Sequence, residues 1–298
     1  MAESSIDECT FDPGHPNFFP VSHCSPDSIP RGFGSYLMFQ YIKNISERTV
    51  KVVRNRSSPD RPGVSSRTRS LNDDKRLGSG LVVKAEHVNS QCKCPECQES
   101  PNPKSHCWAV IINTSTQLVY DSQEAKATQV ELFNDDEGSV EEGKVITLHG
   151  AEIEETDPTS HISLLVCFTH DAGLARLLDN YRKESMALRS AILREMTNDG
   201  HAHLTQFMVI CHPHGLPKRI WIGPELERVR GSGSAVSVYS ARMCPGIVGA
   251  PVVVLHGEDC EDPLWVPLVK DSSDRRPPTF RRAVLTTQGP VRGGSIYC

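Results

Sequence analysis

Short β-biased apolar segments, punctuated by turn residues, recur along most of this 298-residue chain and constrain its fold more than any other feature. Thr49-Val50-Lys51-Val52-Val53 alternates side-chain character, and Gly78-Ser79-Gly80 opens the run Leu81-Val82-Val83. Further strands are expected at 108–113, 117–120, 128–133, 145–148, 162–168, 203–211, 219–222, 235–239 and 251–255. A succession of short strands with turn signals between them predicts an all-β barrel or sandwich. One helix interrupts it. Asp171 is a ready N-cap, Leu174, Leu177, Leu178, Tyr181, Leu188, Ile192 and Met196 recur at helical spacing, and Asn198-Asp199-Gly200 ends the run, so a helix is expected over 171–198.

The ends differ from the middle. Residues 1–34 are rich in Pro, Ser, Gly and Asp without sustained periodicity, and 36–45 is a short apolar segment compatible with helix or strand. We therefore expect a disordered or partly ordered leader over 1–45 and a main domain over 46–260, with its core at 78–255. A Cys-rich insertion lies at 87–107, and 261–298, with Arg275, Arg276, Arg281 and Arg282, reads as a flexible basic tail. The net charge of −5 is unevenly spread: 48–76 is basic, and 131–157 is acidic around the single lysine Lys144. Solvated loops are the commoner cause of such segregation, and partner steering is the rarer one. The first residues lack the basic-then-apolar pattern of a secretory signal, and no stretch approaches the roughly 20 apolar residues of a membrane span. Eleven cysteines, an odd number with Cys167 and Cys211 isolated in apolar strands, fit reduced thiols and a cytoplasmic location better than a disulfide framework.

Near the C-terminal end stands Cys244-Pro245-Gly246-Ile247-Val248-Gly249-Ala250-Pro251, followed by an apolar strand. Upstream are Thr114-Ser115-Thr116-Gln117-Leu118-Val119-Tyr120-Asp121 and His212-Pro213-His214-Gly215-Leu216-Pro217-Lys218. In order and spacing these pieces resemble the trypsin-like, chymotrypsin-fold serine peptidases. The likeness is closest to invertebrate trypsin-like proteins with a Cys-rich insertion, and it covers roughly Gly78 to Leu255. The resemblance implies a double β-barrel with one inter-barrel helix. It also implies a Ser-His-Asp triad, in which serine attacks, histidine takes its proton and aspartate orients the histidine. Here the nucleophile slot holds Val248, the histidine slot Gln117, and the aspartate slot, at the start of His161-Ile162-Ser163-Leu164-Leu165, holds His161. The separations of 44 and 87 residues compare with roughly 45 and 93 in the template. Valine cannot attack a carbonyl, a glutamine amide is no base near neutral pH, and the orienting carboxylate is absent. The backbone N–H groups of Gly246 and Val248 would form the oxyanion hole and are not removed by side-chain replacement. His212 and His214 read as turn and packing histidines.

The second local signal is Cys92-Lys93-Cys94-Pro95-Glu96-Cys97, followed by His106-Cys107. Cys-x-x-Cys places two thiolates on one tight turn, as a tetrahedral zinc knuckle requires. Cys92, Cys94, Cys97 and Cys107 form the candidate ligand set, with His106 as the alternative fourth ligand and His87 a weaker one. A zinc there would be structural, since four protein ligands leave no open position. Free surface thiols or one disulfide are the other readings, and no helix is expected after Cys97 to lower a thiol pKa for redox work.

Together these features describe a catalytically inactive protease homologue that binds a peptide or protein partner. The alternative is an active serine endopeptidase with a non-standard triad. A nucleic-acid role through the basic segments lacks the aromatic stacking platform such binding uses, at 6% aromatic content.

Overall fold

A computed structural model describes residues 7, 9, 12–30, 36–62, 75–157, 161–196, 206–231, 234–239, 244–255, 266–267, 269–270 and 283–288. In chain order the elements begin with strand β1 (Phe18–Pro20), helix α1 (Tyr36–Arg48), β2 (Thr49–Arg54), β3 (Arg76–Val88), α2 (Pro95–Glu99) and β4 (Cys107–Ser115). Then come α3 (Ser122–Lys126), β5 (Thr128–Leu132), α4 (Gly138–Glu141), β6 (Ile146–Asp157), β7 (Ile162–Thr169) and α5 (Ala172–Met196). The remaining strands are β8 (Gln206–Cys211), β9 (Arg219–Gly231), β10 (Ser234–Tyr239), β11 (Pro251–Leu255), β12 (Val266–Pro267), β13 (Val269–Lys270) and β14 (Ala283–Gln288).

The first six long strands close into an antiparallel barrel in the order β2-β3-β4-β7-β6-β5, with β5 returning to β2 through Val52↔Val130. Alternation decides what fills it. Val50, Val52, Val82, Val110, Ile112, Val130, Leu132, Leu148, Leu165 and Cys167 form one buried cluster, and Leu174 and Leu178 of α5 join it. The neighbours of these residues, Ala109, Val166 and Phe168, face outward and carry the cysteine insertion. The second sheet runs β12-β11-β8-β9-β10-β14-β13, with β1 added on β9. Its apolar face holds Phe207, Val209, Cys211, Trp221 and Val252. The opposite face, with Met208, Ile210, Ile220 and Val253, packs under Met38, Tyr41, Ile42 and Ile45 of α1 and Ile192 of α5.

Two buried cations fix α1. Arg48 donates to Val82 O at 3.2 Å and to Ser185 Oγ at 2.7 Å. Lys218 Nζ donates to Ser46 O and to Asp135 Oδ1, both at 2.6 Å. Burial pulls the Arg48 guanidinium down to about 10, so it stays charged near neutrality.

The helix at 171–198 is observed as α5, and Asp171 Oδ1 accepts from Gly173 N at 2.7 Å and Leu174 N at 3.0 Å. Its expected end at Asn198-Asp199-Gly200 lies outside the described residues. The expected strand at 117–120 is corrected, and other segments are now assigned. The leader over 1–45 is ordered in its described part: Phe18 pairs with Trp221, and α1 buries Ile42 and Ile45 completely. The periodicity of 36–45 is helical once Arg48 is included. The stretch 117–120 is a turn, because Leu118 N and Val119 N both bond back to Ser115 O. Within 261–298, Val266–Pro267 pairs with β11 and Ala283–Gln288 with β10, so the tail contributes strands; Arg275, Arg276, Arg281 and Arg282 lie outside the described residues. Among the described residues no helix is long and apolar enough to cross a membrane.

Glu124 is the most heavily engaged carboxylate of the barrel. It is fully buried and meets Arg54 Nη1 at 3.0 Å, Arg61 Nε at 2.7 Å, Ser58 N at 3.0 Å and Tyr120 N at 2.8 Å. Burial opposes its ionisation, but the Arg61, Ser58 and Tyr120 hydrogen bonds and the Arg54 charge outweigh it and hold the carboxyl below its usual range. Its stabilising contribution is therefore full above the ordinary carboxylate range and is lost as pH falls through the lowered folded-state value. Glu124→Gln should cost about 3 kcal/mol in denaturant unfolding, because it strands two arginines. The variant should also lose part of the acid-side fall in stability seen in the wild type.

Candidate functional site

β3 pairs with β4 only from Leu81 onward, against Asn113, so its edge at Leu77–Ser79 is left for another partner. That partner is the turn between β10 and β11. Gly246 N donates to Leu77 O at 3.2 Å, and Ser79 N donates to Val248 O at 2.8 Å, like a short added strand. The Ser79 hydroxyl donates to Gly246 O at 2.7 Å and accepts His212 N at 3.0 Å, while Thr114 Oγ1 donates to Ser79 O at 2.8 Å. One serine thus ties the barrel, the second sheet and the turn together.

Such close approach needs glycine. A Cβ on Gly78 would fall 2.6 Å from Val248 O, and one on Gly249, where φ is +83°, would fall 2.3 Å from both Ser79 O and Thr114 Oγ1.

Gln117, His161 and Val248, singled out in the sequence, lie in segments that touch one another here. Thr116 N, beside Gln117, donates to His161 O at 2.9 Å, and His161 holds a φ of 58°, uncommon for a residue with a side chain. Thr114, three residues before Gln117, lies against Gly249, next to Val248. Val248 is half-buried and packs against the apolar clusters of both the barrel and the second sheet. A hydrocarbon side chain at this slot is part of the packing between the two units. Gln117 O accepts Arg61 Nη1 at 3.2 Å, so the Arg61–Glu124 pair also braces this turn.

The backbone donors expected for an oxyanion hole are not both available. Gly246 N–H is committed to Leu77 O at 3.2 Å. This corrects the expectation that Gly246 would present its N–H to a ligand. Buried His212 donates from Nδ1 to Leu216 O at 3.0 Å, and its Nε2 has no hydrogen-bond partner. Burial first, then Lys218, drives its pKa well below the usual range, so the imidazole is neutral.

The cysteine insertion folds onto the outer barrel face against Ala109, Ala151, Val166 and Phe168. Cys92, Cys94, Cys97 and His170 bring their ligand atoms within 4.8 Å of one another. Cys97 Sγ lies 3.4 Å and Cys94 Sγ 4.0 Å from His170 Nε2. A tetrahedral zinc would place sulfur and imidazole nitrogen about 3.5 Å apart and two sulfurs about 3.8 Å apart, so this donor set can hold a metal ion of that size. The knuckle shows the matching N–H···S bonds: Cys94 N to Cys92 Sγ and Cys97 N to Cys94 Sγ, each 3.4 Å. Burial pushes the Cys92 thiol up to about 11 and the Cys94 thiol up to about 12, so both need a cation to ionise near neutrality. Cys97 is shifted downward, chiefly by the Lys104 N–H.

His170, not Cys107 or His106, joins the three expected cysteines. Cys107 is buried beside Cys92 but outside the group, and exposed His106 stacks on His87 at 5.7 Å between ring centroids. His170 is 63 residues beyond Cys107 in sequence and escaped spacing arguments; its one signal was its place between β7 and the α5 cap. The helix around Cys97 was also unexpected: α2 starts at Pro95, with Cys94 as its N-cap. The nine described cysteines are all free thiols.

No model of a known protein family and no curated protein matches this chain.

Two results are expected. Ser79→Ala should lower stability by about 2 kcal/mol, since it leaves Gly246 O and His212 N without their buried partner; thermal or urea unfolding measures it. Metal content by mass spectrometry should fall by one ion per chain in His170→Ala and stay unchanged in Cys107→Ser.

Proposed function

We propose that this chain is a catalytically inactive homologue of the trypsin-like peptidases, and that it uses the junction of its two β units as a peptide- or protein-binding surface. The observation that carries the reading is that the Gln117 segment touches the other two: Thr116 N donates to His161 O, and Thr114 lies against Gly249 beside Val248, while Gln117, His161 and Val248 themselves carry no nucleophilic hydroxyl or thiol. The strand order supports the double-barrel part of the proposal. In the barrel, the strands taken in chain order line up as first, second, third, sixth, fifth and fourth. If β12 and β13 are two ends of one strand, β8 to β14 repeat that order, because β12 pairs with β11 and β13 with β14. A fold made of two like barrels requires such a repeat.

The chemistry of the junction suits a peptide. The segments carry an amide at Gln117, an imidazole at His161 and an apolar side chain at Val248. Four cations of the basic stretch are already engaged internally, which leaves fewer for a phosphodiester: Arg48 at Val82, Lys51 with Glu131 at 3.2 Å, and Arg54 and Arg61 with Glu124. The acidic stretch is drawn on in the same way, through Glu131, Asp135 and, at 2.8 Å, Glu152 with Lys93. An active serine peptidase would need a hydroxyl facing a histidine at this junction. Ser79 instead donates to Gly246 O, and Ser115 Oγ accepts Gln117 N at 3.1 Å. The Cys92, Cys94, Cys97 and His170 group is read as one structural zinc that orders the insertion; two or more thiolates with imidazole favour zinc over harder cations.

A fluorophosphonate probe should label neither the wild type nor Val248→Ser, because the latter gains a hydroxyl without a base. Photo-cross-linking to a random peptide pool should map to the Gln117, His161 and Val248 segments. Labelling of the wild type would overturn the inactive assignment. Peptide capture that maps elsewhere, or none, would overturn the binding site.

A further inference from the structure

Outside the insertion, a second set of metal-ligating side chains converges beside the turn that holds Val248. Cys9, His15, His214 and Cys244 bring one sulfur or ring nitrogen each to within 4.8 Å of one another. All four are deeply buried, at 3%, 1%, 4% and 3% exposure. We propose that these four residues bind a divalent ion of the zinc class, in a closed structural site that pins the start of the chain to the Cys244–Gly249 turn.

Several observations support it. His15 Nε2 and His214 Nε2 lie 3.1 Å apart, with the rings edge to face at 78°. A tetrahedral zinc places two imidazole nitrogens about 3.3 Å apart, so the pair is already at ligand separation. A single N–H···N bond would account for that contact but not for the two thiols gathered beside it. One cation satisfies all four atoms together. The far nitrogen of His15, Nδ1, is buried without a hydrogen-bond partner, and the nearest carboxylate, Asp12 Oδ2, stands 3.7 Å away. Both histidines hold left-handed backbone, with φ of 46° at His15 and 55° at His214, a conformation kept where the surroundings over-determine it.

The ligands come from three separate parts of the chain. Cys9 and His15 belong to the N-terminal segment, His214 follows β8, and Cys244 opens the turn, with His214 N donating to Pro245 O at 2.5 Å. Two thiolates and two imidazoles around a dication give a neutral unit, suited to its apolar surroundings of Phe18, Trp221 and Ile247. Binding would convert two thiols to thiolates and release two protons to solvent. With four protein ligands and no exposed face, the site leaves no position for a substrate or a water, so its role is structural.

The test uses the full chain purified under reducing conditions without added metal. Mass spectrometry should find two zinc ions per chain. Cys9→Ser and His15→Ala should each hold one, Cys97→Ser with His170→Ala should hold one, and Cys211→Ser, whose thiol lies in the same cluster but outside the ligand set, should keep two. Since losing His15 can unfold the segment, a second measurement uses cobalt(II) added to the metal-free Cys97→Ser/His170→Ala variant. There the tetrahedral absorption bands expected are those of two sulfurs and two nitrogens. The proposal is overturned if that variant binds no cobalt, if His15→Ala keeps both ions, or if protein alkylated at lysis carries a Cys9–Cys244 disulfide. Loss of only the insertion's ion would overturn the other site and leave this one standing.

Discussion

The hydroxyl and backbone of Ser79 are the contact on which the rest of the architecture depends. This residue sits where β3 outruns its pairing with β4, and it offers hydrogen-bonding groups in three directions. The second sheet answers through His212, the turn through Gly246 and Val248, and the barrel through Thr114. The flanking glycines exist because of this crowding: a side chain at Gly78 would strike the turn, and one at Gly80 would fall 2.8 Å from Ile112 Cγ2. A tight polar knot between two apolar cores fixes their register in a way that packing alone would not.

Buried charge plays the complementary part at the outer surface of the join. Arg48 of α1 and Lys218, just before β9, reach to carbonyls and to Asp135, and Glu124 gathers Arg54 and Arg61 over the Gln117 turn. Ionic groups of this kind are costly to bury and costly to break, so they specify one arrangement more than they stabilise it. One pair joins the basic and acidic stretches of the sequence directly: Lys51 of β2 meets Glu131 of β5 at 3.2 Å.

Much of this was legible in the residues. The strand pattern, the Asp171 cap and the Gly-Ser-Gly segment before Leu81 announce an antiparallel barrel, because alternation and turn chemistry are local properties. The knuckle cysteines could be found by spacing. What could not be read depends on contacts between distant parts of the chain. The stretch 117–120 has β-favouring residues, yet it turns because Ser115 O captures two N–H groups. His170 gives no hint of approaching Cys97, and a Pro- and Ser-rich start gives no hint that Phe18 will add to a sheet. At Gly246 the sequence shows that an N–H is present, but not that Leu77 takes it.

The pairing of Phe18 with Trp221 has a consequence for biogenesis. At about 5–20 residues per second on the ribosome, the roughly 200 intervening residues take on the order of 10–40 s to emerge. For that interval the aromatic start of the chain has no edge to join, while the barrel strands that follow can already associate. Nascent chains of this protein are thus expected to spend on the order of 10–40 s with the Phe18 segment waiting, only the last several of them with the barrel strands all made, which makes that segment a natural client for a chaperone during synthesis.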